Sequence, residues 1–147
     1  EVLIMDNEID EFVFSSVTKY KDYTFKSINH SDAMEELKTE DDKKKNETCK
    51  PLLKKMKAVL GDKVKDVIIS HRLTDSPSCI VADEHDPTSQ MQEIMRAMGQ
   101  AGMSEVKPIL EINPNHEIVG KMTGMRKGKS FDDISLLLYE NPIYIML

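Results

Sequence analysis

The spacing of apolar positions along the chain alternates between helical and strand-like texture. Val2–Met5 reads as a short buried strand. Asp6 or Asn7 is placed to cap a helix reaching about Tyr20, with Ile9, Phe12, Val13, Ser16, Val17 and Tyr20 on one face. Asp22–Ile28, with alternating Tyr23, Phe25 and Ser27, predicts a turn and a minor strand. A weaker helical signal begins at Ser31 and runs through Met34 and Leu37. It dissolves into TEDDKKKNETCK at residues 39–50, whose signs nearly cancel; a solvated helix end or flexible connector is expected there, not a recognition patch. From Pro51 the pattern recovers. Leu52, Leu53, Met56, Val59 and Leu60 form one apolar face, and Gly61 stops the helix.

Then the period shortens. Val64–Ser70 and Ser78–Ala82 are β-branched runs joined by the loop HRLTDSP, residues 71–77, where Arg72 and Asp75 are suited to pinning the turn. Val106–Ile112 is a third strand with Pro108 near its start, and Asn113–His116 is a turn or a new helix start. Gly120–Lys129 is glycine-rich and basic and reads as a mobile loop. Ser130 with Asp133 resembles a capping box ahead of an apolar face made by Phe131, Ile134, Leu137 and Leu138. After Asn141-Pro142, the tail Ile143–Leu147 is almost wholly apolar, and a second subunit is its natural cover. The order of segments predicts an α+β fold: a small three-stranded mixed sheet with helices packed on one face.

Between the second and third strands lies Asp86–Gly102, DPTSQMQEIMRAMGQAG. Met91, Ile94, Met95 and Met98 recur at helical spacing, with Gln92, Glu93, Arg96 and Gln100 opposite; Asp86 suits the N-cap, Pro87 the first turn and Gly99 the stop. Periodicity alone fits a surface helix tucking its stripe into its own core. The sharper alternative is a soft stripe offered to other proteins, because thioethers repack against many shapes.

Composition adds one oddity, since the core must rely on aliphatics and methionine. Trp is absent and aromatics are 5%, but there are ten Met among 147 residues. A net charge of −6, with scattered basic residues, gives no electrostatic case for nucleic acid. No apolar run approaches the roughly 20 residues a membrane span needs. Cys49 and Cys79 are isolated, which fits a reducing compartment, and no signal peptide is apparent. The chain starts without Met inside a strand-like run, as a fragment of something longer would.

Chemistry is sparse. His30, His71, His85 and His116 form no metal-ligand spacing, and no phosphate-cradling glycine motif is present. His71, Asp75 and Cys79 fall in one segment, which permits a small cysteine/histidine-dependent enzyme, although Cys79 sits in a β-branched run that suits a buried hydrophobe.

Taken in order, VKDVIISHRLTDSP, SQMQEIMRAMGQ and VKPILEINPNHEIV resemble the C-terminal domain of the 90-kilodalton heat-shock chaperone family, nearest to its bacterial HtpG-like branch. IDEFVFSSVTKYKDYTFKSI is similar to the passage from that family's middle domain, and PLLKKMKAVLGDKVKDV to the helix before the first strand. The resemblance implies residues 1–38 as the end of a middle domain, 39–48 as a charged connector and 49–147 as a dimerisation domain. It implies a non-enzymatic piece of a cytoplasmic, ATP-dependent homodimeric chaperone, with ATP and magnesium bound in an N-terminal domain outside this chain. Its partners would be a second copy and unfolded client proteins, with no nucleic acid and no membrane. It places Met91, Ile94, Met95 and Met98 on a client-binding face. It also places Phe131, Ile134, Leu137, Leu138, Ile143, Ile145, Met146 and Leu147 in a dimeric four-helix bundle.

Overall fold

β-branched runs and amphipathic stretches resolve, in the computed structural model, into an α+β fold; it describes residues 3–7, 9–31, 40–99 and 106–141. The elements run α1 (Asp10–Ser16), β1 (Lys19–Tyr20), β2 (Tyr23–Thr24), α2 (Glu40–Leu60), β3 (Asp66–Ile69), β4 (Ser78–Val81), α3 (Ser89–Ala97), β5 (Ile109–Ile112), α4 (Glu117–Thr123) and α5 (Lys129–Glu140).

The sheet order is β3-β5-β4, with β3 parallel and β4 antiparallel to β5. β5 is central, so all four of its residues are buried, and a near-continuous apolar run is what burial on both faces demands. Strand alternation sends Leu110 and Ile112 of β5, with Val67 and Ile80, toward the helices. There they meet Leu52, Met56 and Leu60 of α2, Val119 and Met122 of α4, and Phe131 and Leu138 of α5. Burying each such side chain stabilises the fold by about 1.5–3 kcal/mol before entropy costs. The buried Ser78 hydroxyl donates to the Leu138 carbonyl at 2.8 Å, tying β4 to α5. On the opposite face Ile109, Cys79 and Val81 pack with Ile68 and Leu73, under the 70–77 loop.

β3 is an edge strand. Its Asp66 carboxylate accepts the Val67 N–H at 2.7 Å, which satisfies one edge donor within the strand.

Several local expectations need correcting. Leu3–Met5 form no strand, and Leu3 and Ile4 are exposed, because no described strand lies beside them to complete a ladder. The first helix stops at Ser16 because Lys19–Tyr20 pairs with Tyr23–Thr24 as a hairpin, which Phe14 and Phe25 tie back edge-to-face at 5.1 Å. Of the two readings of the mixed-charge run, the helix end holds: α2 begins at Glu40 and continues through Pro51. Buried Cys49 is in register with Leu52, Leu53 and Met56, so the apolar face reaches one turn further back than the charges suggest. Gly61 ends α2 at φ 54°, and the Lys57 ammonium donates to the Gly61 and Val64 carbonyls beyond it. α4 runs through Gly120, which the packing of Val119 and Met122 outweighs. α5 starts at Lys129 with Gly128 as N-cap and no side-chain cap, so Ser130 and Asp133 do not form a capping box. The weak helical signal over positions 32–39 lies outside the described residues.

Candidate functional site

α3 carries the methionine stripe. Its N-cap is Thr88, two residues beyond Asp86; the Thr88 Oγ1 accepts the Met91 N–H at 3.2 Å. Pro87 therefore precedes the helix, and its carbonyl accepts from the Gln92 side-chain amide at 3.2 Å. At the other end Gly99, with φ 82°, donates to the Arg96 carbonyl and closes the helix as its spacing predicts. Along the stripe, Met91 is buried, Ile94 and Met95 are half-buried, and Met98 is 63% exposed. α3 is strongly amphipathic, yet no other described element packs extensively against it. The stripe thus enters the molecule at its first turn and leaves it at its last.

The segment that holds α3 in place is residues 82–88. Ala82 forms a parallel bridge with His30, exchanging bonds with the Asn29 carbonyl and the Ser31 N–H. The His30 Nε2–H donates to the Asp86 carbonyl at 3.1 Å. The Lys65 ammonium lies against the carboxylates of Asp83 and Asp86. Hydrogen bonds to Asp83 and then Asp86 push Lys65 above its ordinary range, while the Lys65 bond holds Asp83 below the usual carboxylate range.

Beneath the other sheet face is a buried polar knot. The Arg72 guanidinium donates to the Glu111 carboxylate at 3.0 Å and to the His30 carbonyl at 2.8 Å. The Ser70 hydroxyl donates to Glu111 at 2.8 Å, and its oxygen accepts the N–H groups of Arg72 and Leu73. Asn113, 1% exposed, donates to the Thr74 and Ser76 carbonyls at 3.0 Å and accepts the Asn115 N–H. Arg72 pins the loop, as read from the sequence, whereas exposed Asp75 accepts from the adjacent Thr74 hydroxyl at 3.3 Å. Cys79 is fully buried with its Sγ 3.6 Å from Glu111; burial first, and the carboxylate second, push its pKa up to about 12. Such a thiol is a poor nucleophile, which removes the basis for the cysteine/histidine enzyme. Among the described residues, no cluster of three or more His, Cys, Asp or Glu suits a metal.

The α5 residues divide. Phe131 and Leu138 fill this chain's own core, Ile134 packs at its margin, and Leu137 is 53% exposed. Ile143, Ile145, Met146 and Leu147 lie outside the described residues.

Against this geometry stand the comparisons with known proteins. A family model described as Hsp90 protein matches residues 1–144. The chain belongs to the Hsp90 family. The chaperone protein HtpG of Treponema denticola is 48% identical over 99% of the chain, and that of Treponema pallidum 41% over 99%. The HtpG of Borreliella burgdorferi is 44% identical over 97% of the chain. The chain spans 23% of the length of each of these relatives.

The two motifs that carried the family resemblance, HRLTDSP and EINPNH, are the two sides of the polar knot, joined through Arg72–Glu111 and Asn113. They hold the scaffold together, whereas the stripe stands away from them. A cleft of about 820 Å³ lies between α2 and β3; Lys50, Lys54 and Lys57 face Asp66, Asp83 and Glu84 across it, so its charge balances. None of the stripe or α5 residues lines it. Sequence reasoning missed Thr88, whose signal was its place three residues before the first stripe methionine. It also missed Glu11, whose carboxylate accepts from the Thr88 hydroxyl across 77 positions. No helix among the described residues is long and apolar enough to cross a membrane.

Proposed function

We propose that this chain is the C-terminal part of an ATP-dependent chaperone, holding two copies together and contacting unfolded client proteins. The observation that carries the reading is α3: an amphipathic helix whose stripe is buried at Met91, half-buried at Ile94 and Met95, and exposed at Met98. Membership of the Hsp90 family, and relatives that are chaperone proteins, support it. A stripe of thioethers on a helix apart from the core adapts to many apolar segments. Each side chain newly buried against a client contributes up to about 1.5–3 kcal/mol before ordering costs, so two or three give weak, promiscuous binding.

Self-association runs through α5 and the apolar tail. Leu137 is the α5 residue among those described that offers surface, and the apolar positions Ile143, Ile145, Met146 and Leu147 of the tail are assigned to the same dimer contact. Phe131, Ile134 and Leu138 brace α5 from inside. Residues 1–38 are assigned to the end of a middle domain, 39–48 to a charged connector that passes into α2, and 49–147 to the dimerisation domain. In the whole protein ATP and magnesium bind outside this chain, which is not itself an enzyme. The two unpaired cysteines suit the cytoplasm.

The test is capture of a permanently unfolded protein, reduced and carboxymethylated lactalbumin. Replacing Ile94, Met95 and Met98 together by Ser weakens binding about tenfold or more while far-UV circular dichroism stays unchanged. Unchanged affinity in a folded variant overturns the client-contact reading.

A further inference from the structure

α3 begins without an acidic residue in its first turn, although the positive end of a helix favours one. The missing charge arrives from another element. Glu11 of α1 places its Oε1 on the Thr88 hydroxyl, the group that caps α3 by accepting the Met91 N–H. Thr88 is 6% exposed, and the second Glu11 oxygen, Oε2, is buried with no hydrogen-bond partner. A carboxylate oxygen shut from water without a partner is costly unless something rewards the position of the group; here the reward is the helix terminus and the shared hydroxyl.

We infer that Glu11 is a positioning residue that fixes the methionine helix through Thr88, so that α1 and its hairpin move together with the stripe. The surrounding contacts support this. Segment 29–31, which follows the hairpin, is stitched to Ala82 and Asp86 on the strap leading into α3. Lys65 pins the same strap to β3. The α1 unit and the segment after its hairpin therefore meet the seven-residue strap at both ends, at Ala82 and at Thr88, and no other described element packs extensively against α3. The inference deepens the client-contact reading and rests on it only for its consequence: positioning the stripe sets how client segments meet it.

The test separates the cap from the latch. Thr88→Asp retains an oxygen able to cap α3 but sets a second carboxylate against Glu11. Thr88→Asp combined with Glu11→Gln restores a donor–acceptor pair, because the new amide donates to the new carboxylate. Amide hydrogen exchange of α1 and α3 is followed in the intact chain, with α5 as internal control. The single Thr88→Asp variant exchanges about fivefold faster in both helices, and the double variant returns to within about twofold of the parent, while α5 is unchanged in both. Parental exchange in the single variant, or no recovery in the double, overturns the inference. Capture of the carboxymethylated lactalbumin is read on the same samples. Altered exchange with unaltered capture leaves the latch standing and counts against the client-contact reading alone.

Discussion

Removing Arg72 exposes how the scaffold is held. Arg72 and Glu111 have side chains only 5% and 3% exposed and meet at 3.0 Å. Arg72→Leu removes the cation and leaves the Glu111 carboxylate buried with only the Ser70 hydroxyl and the Cys79 thiol against it. An orphaned buried charge costs about 3–5 kcal/mol, a large share of the roughly 5–15 kcal/mol that a domain of this size has in total. At roughly 2–4 °C per kcal/mol, the melting midpoint falls by about 6–20 °C. The paired change Arg72→Leu with Glu111→Leu removes both charges. Its residual cost is that of the deprived Ser70 hydroxyl and His30 carbonyl, about 1–3 kcal/mol, so the double variant is more stable than Arg72→Leu alone. Urea unfolding followed by far-UV circular dichroism compares the parent, Arg72→Leu and the double variant. A loss below about 1 kcal/mol for Arg72→Leu, or a double variant no better than the single, refutes the reasoning.

Other consequences are more compact. Leu137→Asp, at a half-exposed site, leaves the protein folded but lowers its mass in sedimentation; Leu138→Asp places a charge in the core and unfolds it. A folded Leu137→Asp protein that sediments as a dimer at the parental concentrations excludes α5 as the interface. Cys79 is fully buried, and burial pushes its thiol pKa up to about 12, so it resists iodoacetamide until urea unfolds the chain. Rapid native labelling at Cys79 contradicts its burial. The lowered Asp83 pKa binds protons less readily in the folded state, so its contribution is present above the ordinary carboxylate pKa of about 4 and fades as pH falls through the lowered value. Lys65→Met therefore flattens the dependence of the urea midpoint on acid pH; an identical dependence in parent and variant refutes the pairing.

The sheet was legible because its strands are short β-branched runs with turn residues between them, and Gly61 and Gly99 mark helix ends through the φ they adopt. The start of α2 was hidden because its first turns carry charge and only Cys49 keeps the apolar register. α4 was obscured by Gly120, an intrinsic cost of about 1 kcal/mol that the burial of Val119 and Met122 overrides. Asp86 looked a better cap than Thr88 on local chemistry; the Lys65 ion pair occupies its side chain instead. The stripe was visible as a period, but its gradient from buried Met91 to exposed Met98 is set by what lies beside α3, and that has no local signature. Glu11 and Thr88 are 77 positions apart, and single-sequence patterns carry no information across that distance.

The most direct measurement is a methyl spectrum of the protein labelled at its methionine ε-carbons, titrated with carboxymethylated lactalbumin. Met56 and Met122 are fully buried in the core, whereas Met95 and Met98 lie toward the open end of the stripe. If α3 contacts clients, the Met95 and Met98 signals shift and broaden while those of Met56 and Met122 stay in place. Stationary Met95 and Met98 signals at concentrations where the unfolded protein is bound contradict it.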